Sequence, residues 1–426
     1  MKVLVVGAGG REHALVWKLA ASPRVDKVYC APGNAGTAEL AENVPIGATE
    51  INALADWAAA HDIDLTVVGP EAPLTAGLVD AFSARGLVAY GPTQKAAAIE
   101  GSKAFSKKLM EKYGIPTARY RVFTDAEEAR RYVKEKGAPL VLKADGLAAG
   151  KGVTVALTEE EALGAVHAIL EERAFGAAGE RLIIEEYLEG EEVTVLAFAD
   201  GEHVLMLEPS QDHKRALDGD RGPNTGGMGA YSPVPALTPE LARRVEAEIL
   251  RPTVAALAEE GRPYRGVLYA GLMLTADGPK VLEFNARFGD PEAEALLPRL
   301  MTDLVEVAEA TAAGRLDRLS LAWRPEAALT VVLASGGYPG HYETGIPIQG
   351  LKEAAAQPES LVFHAGTRRE GNQVVTAGGR VLAVTALGPD LRTARERAYR
   401  AADLISFRGR HLRRDIGWRA FKLGSC

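Results

Sequence analysis

A chain of 426 residues with 47% hydrophobic and 25% charged residues has the material for roughly two to four domains with sizeable cores. Its formal charge of -8 is small for that length, which argues against a general nucleic-acid binder but leaves room for local phosphate pockets. No apolar run approaches bilayer length, residues 1–10 break into glycines unlike a secretory signal, and Cys30 and Cys426 lie far apart, so the sequence predicts a cytoplasmic protein without membrane contact, disulfides or zinc.

Residues 1–92 alternate strands (2–6, 25–30, 65–68, 88–90) with helices (12–21, 51–61, 78–85), a doubly wound α/β pattern around a parallel sheet. Its strands run into turns rich in glycine or proline, such as Gly7-Ala8-Gly9-Gly10 and Gly69-Pro70-Glu71, and ligands bind on that carboxyl edge. A helix follows over 103–113 and ends at Gly114-Ile115-Pro116. The next stretch reads as a small α+β module: a strand from 117, helix 126–136, strand 140–143, a glycine-rich loop, strand 153–155, helix 159–168 and strand 182–187. Residues 190–326 read as a larger sheet-bearing unit interrupted by 210–233. That polar, glycine-rich stretch has no period and is expected to be a loop covering substrate, with a floppy insertion as the alternative. From 327 onward the pattern is mostly β (329–333, 361–364, 380–385), closed by a helix over 391–405, and the basic run 408–414 is expected to be a solvated face. The division expected is therefore 1–100, then 101–116 with 190–326, then 117–189 between them, and 327–426.

Three segments carry chemistry. In Leu282-Glu283-Phe284-Asn285-Ala286-Arg287 the period of two puts Glu283, Asn285 and Arg287 on one strand face. A carboxylate and a carboxamide oxygen suit a hard divalent cation that keeps phosphate oxygens as further ligands, although a polar edge strand facing water is the plain alternative. The loop from Lys143 to Gly152 lies between two strands, whereas P-loops and dinucleotide-binding turns lead into helices. Small residues and two lysines, Lys143 and Lys151, make it a candidate phosphate-covering hairpin or an ordinary surface one. Glu185-Glu186-Tyr187-Leu188 turns into Glu191-Glu192, a hinge that could offer backbone to an adenine edge and a carboxylate to ribose, or simply a solvated acidic cluster. A nicotinamide site at Gly7-Ala8-Gly9-Gly10 fails, because Glu12 holds the third glycine position and Tyr29-Cys30-Ala31-Pro32 lacks the acid for a ribose diol.

Taken in order, Lys103, Lys143 with its glycine hairpin, Glu185, Glu192, Glu283 and Asn285 resemble the ATP-grasp superfamily, which implies two α+β modules gripping ATP. The motifs Gly9-Gly10-Arg11-Glu12-His13-Ala14, Ala31-Pro32-Gly33-Asn34-Ala35-Gly36-Thr37, Gly69-Pro70-Glu71-Ala72-Pro73, Gln211-Asp212-His213-Lys214, Asn224-Thr225-Gly226-Gly227-Met228-Gly229 and Arg287-Phe288-Gly289-Asp290-Pro291-Glu292 narrow this to a resemblance to the phosphoribosylamine-glycine ligase family. The resemblance implies ATP-dependent ligation of glycine to 5-phosphoribosylamine through glycyl phosphate. Another carboxylate-amine ligase of the same architecture is the alternative, and a nucleotide sensor without catalysis conflicts with the intact charged set. Implied roles are Mg²⁺ or Mn²⁺ at Glu283 and Asn285, ATP at Lys103, Lys143, Gly150, Lys151, Gly152, Glu185, Tyr187, Leu188 and Glu192, and catalysis by Arg287, Lys143, Asp212 and Asp290. Gly9, Gly10, Arg11, Glu12, Gly33, Asn34, Gly36, Pro70, Glu71, Asp290 and Pro291 are implied to hold the phosphoribosyl and glycine substrates. Residues 144–152 are expected to close over the site together with 212–229, excluding water from the acyl phosphate. A monomer is expected.

Overall fold

The computed structural model describes residues 1–147 and 152–422. Val3, Leu4, Val5 and Val6 are all fully buried, which is how a central strand with helices on both faces must read. Their strand, Lys2–Gly7, is the middle of a five-stranded parallel sheet, flanked by Lys27–Pro32 and Glu42–Asn43 on one side and by Leu65–Val68 and Ala89–Tyr90 on the other. Strand order reverses beside Lys2–Gly7, so the turns after it and after Leu65–Val68 open onto one crevice, as doubly wound sheets do at their switch point.

The second sheet is antiparallel, in the order Tyr120–Phe123, Leu182–Glu186, Leu140–Ala144, Val153–Ala156. Helices Ala126–Lys136, capped by Asp125, and Glu159–Val166, capped by Thr158, bury Ala129, Val133, Ala162 and Val166 against Leu142 and Ile184. The expected strand at 117 starts at Tyr120 instead, and the helix expected over 159–168 continues past Val166 as a π-turn, His167–Glu171. A third sheet, also antiparallel, runs Val204–Met206, Glu191–Asp200, Arg265–Thr275, Gly278–Asn285. Val281 faces Leu272 and Glu283 faces Gly271, so Leu282 is the extra residue of a bulge. Arg287 lies just past the end of this strand rather than within it.

The stretch 210–233 is not a loop without structure. Gln211–Asp212 and Gly229–Ser232 are strands of the C-terminal antiparallel sheet, which continues with Ala327–Ala334, Arg380–Gly388 and Ser360–His364. Between them, Arg215–Leu217 and Arg221–Asn224 pair as a small hairpin. Helix Leu391–Leu404 buries Leu391, Ala394, Ala398, Ala401 and Ala402 against this sheet. Among the described residues no helix is long and apolar enough to cross a membrane.

Candidate active site

The three larger antiparallel sheets and the turns at the carboxyl edge of the parallel sheet line one cavity of about 680 Å³. Helix Lys103–Tyr113, whose N-terminus Ser102 caps by accepting from Phe105 N at 3.1 Å, turns Lys103, Lys107 and Met110 toward it at helical spacing. Lys103 Nζ donates to the Gly146 carbonyl at 2.9 Å. Lys107 was not anticipated, although the i, i+4 relation to Lys103 was there to be seen.

Lys143, at the inner end of Leu140–Ala144, reaches Glu185 Oε1 at 2.9 Å and donates to the Leu282 carbonyl, freed by the bulge, also at 2.9 Å. Lys107 Nζ meets Glu185 Oε2 at 3.1 Å and donates to Thr117 Oγ1 at 2.7 Å. Burial pushes Lys107 down to about 8 even with Glu185 beside it. Glu185 is itself buried, and its carboxylate is the counter-charge of two lysines. Glu186 is likewise taken, by Arg119 at 2.7 Å. Tyr187, Leu188 and Gly152 line the cavity; Gly150 and Lys151 fall outside the described residues.

Glu283 and Asn285 face the same space. Burial would raise the Glu283 carboxyl, but Lys214, Lys103, Lys143 and Arg287 outweigh it and hold the group below its ordinary range, hence ionised. Among the described residues no group of three or more His, Cys, Asp and Glu could hold a metal by itself. An ionised carboxylate with one amide oxygen therefore fits a hard cation that draws its remaining ligands from phosphate and water. Arg287 is braced by Glu71 Oε2 at 3.1 Å and Glu100 Oε1 at 3.0 Å. Glu100, which also accepts from Ala286 N at 2.6 Å, went unnoticed because nothing in its local sequence marks it.

The N-terminal motif residues divide into two groups. Arg11, Pro70 and Glu71 line the cavity, and Arg11 donates to the Phe288 carbonyl at 3.1 Å. Gly9, Gly10, Glu12, Gly33, Asn34, Gly36 and Pro291 do not line it. Glu12 spends one oxygen on Gly9 N at 2.6 Å and the other on Arg11 Nε at 2.6 Å, so it shapes the turn rather than greeting a substrate. Asn34 is also spent: its amide donates to the Ala8 and His364 carbonyls at 2.9 and 2.8 Å, and its oxygen accepts from Gly36 N and Thr37 N. His13 and His364 close over Gly36, a packing that admits no side chain at that position.

Asp290, Asp212 and Glu192 line the cavity. Asp290 pairs with Arg380 at 3.1 Å, and Arg380 also donates to the Asp290 and Gly226 carbonyls. Burial, with Glu292 and Glu192 close by and Lys214 pulling against them, pushes Asp212 up to about 7. Glu192 pairs through Oε1 with Lys214. Arg380, Arg419 and Tyr338 bring the C-terminal region into the cavity, a contribution no motif announced.

The phosphoribosylglycinamide synthetase N domain matches residues 1–100, its ATP-grasp (A) domain 101–293 and its C domain 328–419. The chain belongs to the phosphoribosylglycinamide synthetase family. It is 55% identical over 425 residues to the phosphoribosylamine--glycine ligase of Vibrio cholerae, covering 99% of this chain and 98% of that one. To the enzyme of the same name from Allochromatium vinosum it is 56% identical over 423 residues, covering 99% of each. The crystal structure of phosphoribosylamine--glycine ligase from Thermotoga maritima superposes with a TM-score of 0.85 at 35% identity, covering 98% of this chain and all of that one. Members of the ATP-grasp group use ATP and divalent metal ions, which matches the cationic and oxygen-donor character of the cavity in this synthetase-family chain.

Proposed function

We propose that this ligase joins glycine to 5-phosphoribosylamine. The γ-phosphoryl of ATP passes to the glycine carboxylate, the amine displaces phosphate from the glycyl phosphate, and glycinamide ribonucleotide, ADP and phosphate result. The observation that carries this reading is a single cavity in which Lys103, Lys143, Lys214 and Arg287 surround an ionised Glu283 beside Asn285. No enzyme nucleophile is needed, because phosphoryl transfer depends on alignment and charge neutralisation.

Lys143 and Lys103 hold the ATP phosphates, and Tyr187 and Leu188 form the adenine slot. Arg287, braced by Glu71 and Glu100, faces the transferred phosphoryl or the glycine carboxylate. Asp290 and Asp212 orient the amine or the ribose hydroxyls, with Arg11, Pro70 and Glu71 on the phosphoribosyl side. Glu283 and Asn285 would hold Mg²⁺ or Mn²⁺, which when bound draws charge from the phosphate oxygens. The enzyme works as a cytoplasmic monomer.

Phosphate release from ATP should require glycine and phosphoribosylamine together. Glu283→Gln should lower turnover by at least about a hundredfold with an unchanged unfolding midpoint. Release that ignores glycine would overturn the substrate assignment, and full turnover by the variant would overturn the metal assignment.

A further inference from the structure

Arg413 is fully buried, yet it belongs to a basic run whose composition suits a surface. All three of its guanidinium nitrogens donate. Nε and Nη2 each donate to Asp415 at 2.8 Å, while Nη1 donates to Asp220 Oδ1 at 2.9 Å and to the Arg215 carbonyl at 3.1 Å. Asp220 is thereby shared, because its other oxygen accepts from Arg419 Nη2 at 2.8 Å. Burial would raise this carboxyl, but His213, Arg419 and Arg413 outweigh it and hold it well below the carboxylate range.

The backbone of the two segments is stitched as well. Gly219 N donates to Asp415 Oδ2 at 2.8 Å, and Arg414 N to Asp218 Oδ1 at 2.8 Å. Gly417 N donates to His213 Nε2 at 3.0 Å, and His411 Nε2 meets the Ala216 carbonyl at 2.7 Å. The same segment lines the cavity through Asp212, Lys214 and Asp220, and Lys214 is the strongest cationic influence on Glu283. A segment expected from its composition to be a moving cover is instead fastened to the C-terminal segment at His213, Arg215, Ala216 and Asp218 to Asp220.

From this we infer that Arg413 is a positioning residue for the ligation: it fastens the hairpin within 211–224 to the C-terminal segment as a fixed wall, so that Lys214 is already aimed at the phosphate end of the cavity before substrates arrive. Preset charge at a reacting centre spares reorganisation during the reaction, and a wall that does not open keeps water from the acyl phosphate. The effect on turnover rests on the activity proposed above; the fastening itself does not.

Two measurements separate these, each made on wild type, Arg413→Met, Arg413→Lys and Asp220→Asn below their unfolding temperatures. The first is amide hydrogen exchange across 215–224. Faster exchange there in the Met and Asn variants, with the 2–6 and 65–68 strands unchanged, is expected; unchanged exchange in both overturns the fastening, whatever the enzyme catalyses. The second is phosphate released per ligated product. That ratio should rise about threefold or more in the Met and Asn variants, while ADP affinity of the Met variant stays within about twofold. Lys at 413 should restore only part of it, since one ammonium cannot replace a fork that spans Asp220 and Asp415. Loosened exchange with an unchanged ratio overturns the catalytic half, and a wild type without glycine-dependent turnover fails the activity reading while exchange still decides the fastening.

Discussion

Replacing Glu185 by Gln tests the electrostatic centre of the site with no change of shape. Two ammonium groups lie 2.9 and 3.1 Å from its oxygens in a pocket where the carboxylate is 2% exposed. At an effective dielectric of about 20, each pair contributes roughly 5 kcal/mol before desolvation is subtracted. Removing one member of a buried ion pair leaves its partners uncompensated and costs about 3–5 kcal/mol net. Burial already depresses Lys107 to about 8 with Glu185 present, so without that carboxylate Lys107 should surrender its proton at neutral pH. We expect urea unfolding at pH 7 to show Glu185→Gln less stable by about 3–5 kcal/mol. The deficit should narrow at pH 9, where Lys107 is mostly neutral in both proteins and only the lost attraction to Lys143 still distinguishes them. ATP affinity should fall as well, since Lys143 loses the partner that aims it. A deficit under about 1 kcal/mol, or one that is the same at both pH values, would refute the description of Glu185 as a buried counter-ion.

Acid should unfold the protein through its buried histidines. Burial lowers His13 to about 3, His364 to about 4 and His213 to about 4, so each is neutral when folded and takes a proton more readily when unfolded. Their stabilising contribution is whole above the ordinary value of 6.5 and drains away as pH falls toward the folded values, about 2 kcal/mol each by pH 5. His364→Asn should therefore lose about 2 kcal/mol less than wild type between pH 7 and 5 in chemical denaturation, and an equal loss would remove the idea. Gly227 combines a φ of +124° with a site where a Cβ would lie 2.5 Å from Pro291 Cδ. Gly227→Ala should lower stability by about 2–4 kcal/mol, and a melting temperature within experimental error of wild type would show that the turn relaxes.

Local pattern revealed what local forces build. Leu65–Val68, Lys103–Tyr113 and Ala126–Lys136 form over the residues where composition, period and caps place them. Gln211–Asp212 and Gly229–Ser232 stay hidden because they are short and lie in a polar, glycine-rich stretch, and the Ala327–Ala334 partner of Gly229–Ser232 lies about a hundred residues downstream. The site follows the same division. Motif composition gathered Lys103, Lys143, Glu283, Asn285, Arg287 and Asp290 around one cavity, but it could not say which motif residues face inward to build the wall. Glu12 and Asn34 turned out to hold their own turns, Glu185 and Glu192 to neutralise lysines, and Arg413 to be buried. The outcomes at Glu185, Glu192 and Arg413 depend on partners chosen by the fold, such as Lys107 for Glu185 or Asp220 for Arg413, which no reading of neighbours along the chain supplies.

The borrowed strands of the C-terminal sheet constrain how this polypeptide can be assembled or recombined. Gly229–Ser232 hydrogen-bonds along Ala327–Ala334, so a nascent chain that has emerged only as far as the third sheet still carries an unmatched ribbon edge. A chimaera that grafts residues 327–426 from a distant homologue would have to match that edge side chain for side chain, and cutting at 326 would leave the cleft without one of its sides.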